Sequence, residues 1–246
     1  TKLSLYNDGA VSAALDIFGN KYIDDTAFAA AQTNALSMTR NCMMSSNREA
    51  MTKIGLTSIL NNLLIKGGAT SDGRRAAVGM YRSMTVVGTN SRKEMFNDKC
   101  IPAILTELDR ETCKSDTWDH ATVVFWNLAL VPDIQRRLFV ETECIHYIIR
   151  GFDRTETVVI ENSAAAMRNL SQNKENRIPM VELGCFPVIL KAVDVVKAQD
   201  NVCAVCWNLS LDEVNRSTSY DAGVIPAMIK LTKAEKYSVR QNAAGA

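Results

Sequence analysis

Apolar positions recur at helical spacing along nearly the whole chain and are broken at intervals by short polar turns. The clearest stretch is residues 163–190, SAAAMRNLSQNKENRIPMVELGCFPVIL. It holds a small-residue helical run closing on Arg168-Asn169-Leu170, a polar turn with Asn173 and Asn176, a short segment from Arg177 to Gly184, and an apolar segment opening at Pro187. That pattern predicts three helices and two corners.

The same frame recurs. Arg177, Gly184 and Pro187 are matched by Arg48, Gly55 and Ser58; by Arg92, Lys99 and Pro102; by Arg136, Glu143 and His146; by Arg216, Gly223 and Pro226; and by Lys2, Gly9 and Ser12. Successive anchors lie 39 to 46 residues apart, the period of helical solenoids of the HEAT or armadillo kind. Pro102, Pro187 and Pro226 each fall in a helix's first turn, where a missing N–H costs nothing.

Taken in order, residues 1–18 read as the end of a repeat, with Gly9 as corner and Val11, Leu15, Ile17 and Phe18 facing inward. Asp24 and Asp25 suit the start of a long third helix over 26–44, Asn47 can cap the next helix, and Gly55 ends it in a left-handed corner before 56–65. Residues 67–73 read as a loop and 74–87 as a third helix, in which Gly79 costs about 1 kcal/mol unless close packing requires it. Residues 109–116, DRETCKSD, read as a solvated, projecting loop. Helical segments follow over 118–130, 136–149 as a pair after a Pro132 turn, 158–171, 177–196 and 201–211; 239–246 reads as the first half of another third helix.

The pieces RNLSQNKENR…VELGCFPVIL and WNLSLDEVNR…YDAGVIPAMIK resemble the armadillo repeat, with its Asn-Leu near the end of the third helix and its Gly-x-hydrophobic-Pro corner. The resemblance implies an all-α, right-handed α-solenoid, the armadillo superhelix. Residues 1–246 would form a single array of about five complete repeats with truncated ones at both ends. It also implies that the ladder column Asn41, Ser83, Asn127, Asn169 and Asn208 lines a concave groove and hydrogen-bonds an extended peptide. Nuclear-import adaptors of the karyopherin-α type carry Trp four residues earlier; here that column reads Ser37, Gly79, Val123, Ala165 and Ala204, which argues against binding of import signals.

At 100° per residue, three further columns flank the ladder. One residue before it stand Arg40, Arg82, Trp126, Arg168 and Trp207; seven before stand Asn34, Ala76, His120, Asn162, Asn201 and Asn242; eight before stand Thr33, Arg75, Asp119, Glu161, Asp200 and Gln241. The candidate partner-binding groove is therefore Asn41, Arg82, Trp126, Asn127, Arg168, Asn169, Trp207 and Asn208, with Asn162, Asn201 and Glu161 beside them. Arg and Trp are the side chains that interface hot spots favour. Arg168 would prefer an acidic partner residue, and Asp119, Glu161 and Asp200 a basic one. The bland alternative has the tryptophans covering a neighbouring helix and the asparagines satisfying one.

Composition narrows the function classes. A formal net charge of +1, from 28 basic and 27 acidic residues, gives no wholesale attraction to nucleic acid or an anionic membrane. No run approaches the roughly 20 apolar residues of a membrane span, and no signal segment opens the chain, so membrane contact would come only through segments beyond these residues. Cys203 and Cys206 look like a metal or redox pair, but their columns hold Leu36, Val78, Phe125 and Met167 elsewhere, which makes them core. An odd count of seven cysteines suits reduced thiols in a cytoplasmic, nuclear or cytoskeletal setting. Two histidines without clustered ligands make no metal site, and no catalytic motif, cofactor or small-molecule substrate is indicated. Three roles remain open: a non-enzymatic protein–protein scaffold holding an extended partner segment or helix in its groove; a structural component of a cytoskeletal, axonemal or membrane-tethered assembly using edges and convex face; and a regulatory domain of an enzyme such as a ubiquitin ligase.

Overall fold

The computed structural model describes residues 26–42, 55–66 and 69–246. The expectations resting on Lys2, Gly9, Val11, Leu15, Ile17, Phe18, Asp24, Asp25, Asn47, Arg48 and the Gly67-Gly68 pair lie outside the described residues. By compactness the chain divides into two units, Thr1–Leu128 and Ala129–Ala246. The first contains α1 (Thr26–Cys42), α2 (Leu56–Lys66), α3 (Ser71–Thr85), α4 (Thr89–Asn97), α5 (Cys100–Leu108) and α6 (Ser115–Ala129). The second contains α7 (Pro132–Val140), α8 (Cys144–Arg150), α9 (Thr157–Gln172), α10 (Lys174–Glu182), α11 (Cys185–Leu190), α12 (Gln199–Ser210), α13 (Asn215–Asp221), α14 (Val224–Leu231) and α15 (Tyr237–Gly245). Among the described residues there is no strand, and no helix is long and apolar enough to cross a membrane.

Like helices stack on like. In unit 1, α1 packs on α3 and α2 on α5; in unit 2, α9 packs on α12 and α12 on α15, α10 on α13, and α11 on α14. Each repeat therefore buries its apolar columns on its neighbour instead of around one centre. The residues that follow the corner, Leu56, Cys100, Cys144, Cys185 and Val224, are all buried, as are Met84, Leu128, Leu170 and Leu209 one position after the ladder.

The corners follow from backbone sterics. Gly55, Gly184 and Gly223 adopt φ of 76°, 77° and 82°, a left-handed turn that glycine enters without a Cβ penalty. Lys99 occupies the same frame position at φ 65° with a side chain attached, and Glu143, at φ −78°, makes its corner another way.

The repeated Arg anchor has a specific task. A helix leaves its last carbonyls without intrahelical donors, and the third helices receive theirs from the next helix along. Arg92 Nε donates to the Thr85 carbonyl (2.7 Å), Arg177 Nε to Ser171 (3.0 Å) and Arg216 Nε to Ser210 (3.4 Å). The residue before each anchor takes the adjacent carbonyl: Ser91 to Met84 (3.1 Å), Gln135 to Ala129 (3.0 Å), Asn176 to Leu170 (3.0 Å) and Asn215 to Leu209 (2.8 Å). Arg136 departs from the scheme and reaches the Glu175 carbonyl (3.1 Å) and Asn176 Oδ1 (3.2 Å).

Two expectations are corrected. Residues 71–73 belong to α3, because the Thr70 hydroxyl accepts from Gly73 N (3.2 Å) and caps the helix three residues before its expected start. The 109–114 connection is exposed in part but does not project. Arg110 donates to the Leu64 carbonyl (2.9 Å) and lies 3.1 Å from buried Glu107, Thr112 accepts from Arg74 (2.8 Å), and Lys114 pairs with Asp72 (2.7 Å). Arg74 itself pairs with Glu107 at 2.6 Å; burial pushes the Glu107 carboxyl up, against the pull of these two guanidiniums.

Candidate functional site

In unit 1 the site columns lie on α1, α3 and α6. Asn41 is exposed on the last turn of α1, beside half-buried Arg40. Arg82 Nη1 donates to Asp119 Oδ2 (2.7 Å) and to His120 Nδ1 (3.1 Å). Gly79 is explained by this cluster: a Cβ there would lie 3.2 Å from Arg40 Nε and 3.2 Å from the His120 ring. A methyl group there would crowd both side chains. Burial first, and then the charges of Arg40 and Arg82, push His120 down to about 4, so the imidazole is neutral at pH 7. Asn127 is buried and donates through Nδ2 to Thr85 Oγ1 (2.9 Å), whose own hydroxyl donates to the Arg82 carbonyl (2.8 Å). Trp126 is 36% exposed.

In unit 2 the same columns lie on α9, α12 and α15. Arg168 is exposed and donates to Asn201 Oδ1 (3.4 Å). Asn208 repeats the arrangement of Asn127, donating to Ser171 Oγ (3.0 Å), which donates to the Arg168 carbonyl (2.7 Å). Trp207 is 41% exposed, and its ring lies so close to Gly245 that a Cβ there would approach to 2.5 Å. Asn162 and Asn169 are buried and Glu161 is half-buried. Asp200 accepts from Lys236, from Ser238 (2.9 Å) and from Asn242 (3.5 Å). Burial opposes its charge, but the Lys236 and Ser238 bonds outweigh it and hold the carboxyl below the usual range.

No family model matches the sequence, and no curated protein does. Solved structures do. The chain is similar to the designed armadillo repeat protein YIII(Dq)4CqI, with a TM-score of 0.80 and 18% identity over 95% of this chain and 96% of that one. It is equally similar in fold to computationally designed armadillo repeat proteins for modular peptide recognition, at 0.80 and 18% over 95% and 96%. A third likeness, at 0.80 and 16% over the same shares, is to a designed armadillo repeat protein in complex with the peptide (KR)4. The chain has the armadillo-repeat fold. In armadillo terms, α1, α3 and α6 of unit 1, and α9, α12 and α15 of unit 2, are third helices.

Within each armadillo unit, the structure brings Arg82 to Asp119 and His120, and Arg168 to Asn201. It also gives two of the ladder asparagines a partner on the neighbouring third helix, as the alternative reading of that column has it. The signal was present as a hydroxyl two residues after the ladder position, at Thr85 and Ser171. One bond of this kind uses one of an amide's two N–H groups, so a donor and a carbonyl acceptor remain on each asparagine. Cys203 and Cys206 are fully buried and unbridged, with burial pushing their thiols up to about 11 and about 12. Among the described residues no three His, Cys, Asp or Glu side chains gather as a metal site would need.

Proposed function

We propose that the chain is a non-enzymatic scaffold that holds an extended segment of a partner protein along its third helices. The observation that carries the reading is the set Arg168, Trp207 and Asn208 on adjacent third helices of unit 2: an exposed cation, a large ring 41% exposed, and an amide with a donor and an acceptor to spare. Arg and Trp supply anchoring area, and the amide suits a peptide unit. The fold shared with armadillo proteins designed for modular peptide recognition supports it. The candidate groove residues are Asn41, Arg82, Trp126 and Asn127 in unit 1 and Arg168, Asn169, Trp207 and Asn208 in unit 2, the latter with Asn162, Asn201 and Glu161 alongside. Its setting is the reducing cytoplasm, in keeping with the buried, unbridged thiols.

A second reading rests on a different surface. Tyr220, Ile225 and Ile229, on the first and second helices α13 and α14, are 70%, 50% and 58% exposed, and would serve a structural assembly that uses the faces outside the third-helix row. Selection of peptides from a displayed library against the protein, followed by affinity measurement, separates the two. The Arg168→Ala/Trp207→Ala double variant is expected to lose at least ~100-fold in affinity, with its helical circular dichroism retained. Equal binding by that variant, together with loss in Ile225→Ser/Ile229→Ser, would replace the groove with the α13–α14 surface.

A further inference from the structure

On a third helix, the positions eight, four and one before the ladder and three after it fall within about 60° of one another at 100° per residue, and so form one stripe. On α9 these are Glu161, Ala165, Arg168 and Gln172; on α12 they are Asp200, Ala204, Trp207 and Leu211. The two helices run side by side in the same direction, since Asn201 meets Arg168 at one level and Asn208 meets Ser171 further along. Their stripes therefore share an N-terminal edge, at Glu161 and Asp200, and a C-terminal edge, at Arg168, Trp207 and Leu211.

Internal bonds decide what each edge has left to offer. Asp200 is taken, because Lys236, Ser238 and Asn242 all donate to its carboxylate. Glu161, half-buried in the same column of α9, makes no hydrogen bond or ion pair among the described residues. On the other edge, Arg168 is exposed and gives Asn201 one bond of 3.4 Å, which leaves most of its five N–H donors open. Its charge acts on Asp200, but burial and the Lys236 and Ser238 bonds weigh more there. Trp207 and Leu211 supply the apolar part. Leu211 N donates to the Trp207 carbonyl (3.2 Å), so the helical turn carries through and the two side chains stand on one side, 41% and 50% exposed. Val86 and Leu130, in the Leu211 column, are exposed as well.

An extended chain points successive side chains to opposite sides, and residues two apart, roughly 7 Å, to the same side. Neighbouring helix axes lie about 8–10 Å apart, a step that side chains as long as Arg168 and Trp207 can close to that span. A segment laid across α9 and α12 thus sends alternate residues to opposite edges. We propose that this face of unit 2 recognises an alternating tripeptide in its partner: an acidic residue at Arg168 and a large apolar one on Trp207 and Leu211, two positions apart, with a basic residue between them directed at Glu161. The inference rests on the scaffold reading above and names the chemistry of the segment held. Asp200 receives no basic residue, because its own chain already supplies one.

Selection of displayed random peptides against the whole chain tests the pattern, and synthesis of the selected peptides measures it. Enrichment of an acidic and a large apolar residue two positions apart, with Lys or Arg between, is expected. The native chain is expected to prefer a selected peptide at least about tenfold over its counterpart with the acidic and basic residues exchanged. The Glu161→Arg/Arg168→Glu variant, which keeps the net charge, is expected to reverse that preference. Leu211→Ser, at an exposed position, is expected to weaken binding severalfold. Glu161→Gln gives a second route that leaves the fold undisturbed: alanine in place of the peptide's basic residue is expected to weaken binding to the native chain severalfold and to this variant hardly at all. Equal weakening in both, a preference that survives the charge exchange, or selected peptides without the alternation would overturn the edge assignment. If those peptides still require Arg168 and Trp207, the scaffold reading stands without it; peptides that require neither, or none selected, would remove both.

Discussion

The two units use the same columns for different chemistry. In unit 1 the residue before the ladder, Arg82, meets a carboxylate and a buried imidazole at 2.7 and 3.1 Å, over a helix whose Gly79 makes room. In unit 2 the equivalent Arg168 donates to a neutral amide, Asn201, at 3.4 Å, its charge acts on the Asp200 carboxylate, and the column that holds Gly79 holds Ala165 instead. A register shared to the residue thus fixes where side chains meet, while the identities at two positions, His120 against Asn201 and Gly79 against Ala165, decide whether the meeting includes a buried titratable ring.

The largest expected effect concerns pH. His120 titrates near 4 in the folded chain and near 6.5 when unfolded. Between those values the unfolded state binds more protons, so stability is fully present above about pH 6.5 and is lost as pH falls toward 4. The loss is up to about 3 kcal/mol. Urea unfolding at pH 7.5 and 4.5 is expected to give a smaller drop for His120→Gln than for the native chain. An equal drop in both would show that the buried ring is not the source of the difference between units.

A second test removes the hydroxyl beneath a ladder asparagine. Thr85→Val leaves the buried Asn127 amide without its acceptor and is expected to cost about 1–2 kcal/mol in the urea midpoint analysis. Ser171→Ala does the same to Asn208, which is half-buried and can turn to water, so its cost is expected below about 1 kcal/mol. Equal costs would mean that the two rungs do not differ in burial as described.

The smallest effect is at the corners. Lys99 holds φ 65° where unit 2 has Gly184 and Gly223, and a left-handed residue with a Cβ is strained by roughly 1 kcal/mol. Lys99→Gly is expected to recover part of that, a stabilisation of under about 1 kcal/mol, because glycine also gains entropy on unfolding. Thermal melting would detect it. Destabilisation would mean that the lysine side chain makes up for its backbone.

Periodicity made the helices, the corners and the buried columns legible, because spacing between apolar residues and the glycine requirement at positive φ are local properties of the chain. The start of α3 was missed because a threonine cap in a polar stretch looks like the loop around it. The 109–114 connection was misjudged for a different reason. Arg110 lies in a run of polar residues that reads as solvated, and only the three-dimensional meeting with buried Glu107, which Arg74 also pairs with, gives it a partner. At the candidate site, the sequence placed Arg82, Asp119 and His120 in neighbouring columns but could not say that Gly79 would draw Arg40 and the ring together. That depends on how closely adjacent third helices approach.

The carbonyl ends of the third helices bear on how such a chain can be cut and recombined. Thr85, Ser171 and Ser210 have their terminal carbonyls closed by arginines that lie after them in the sequence, at Arg92, Arg177 and Arg216. A graft joined just after a third helix would separate each lock from its key and expose two or more unsatisfied acceptors. Joined at a left-handed corner such as Gly184 or Gly223, the same transplant carries helix end and closing side chain together. The transferable unit of this architecture therefore runs from corner to corner, out of phase with the repeat as it is read from its first helix to its third.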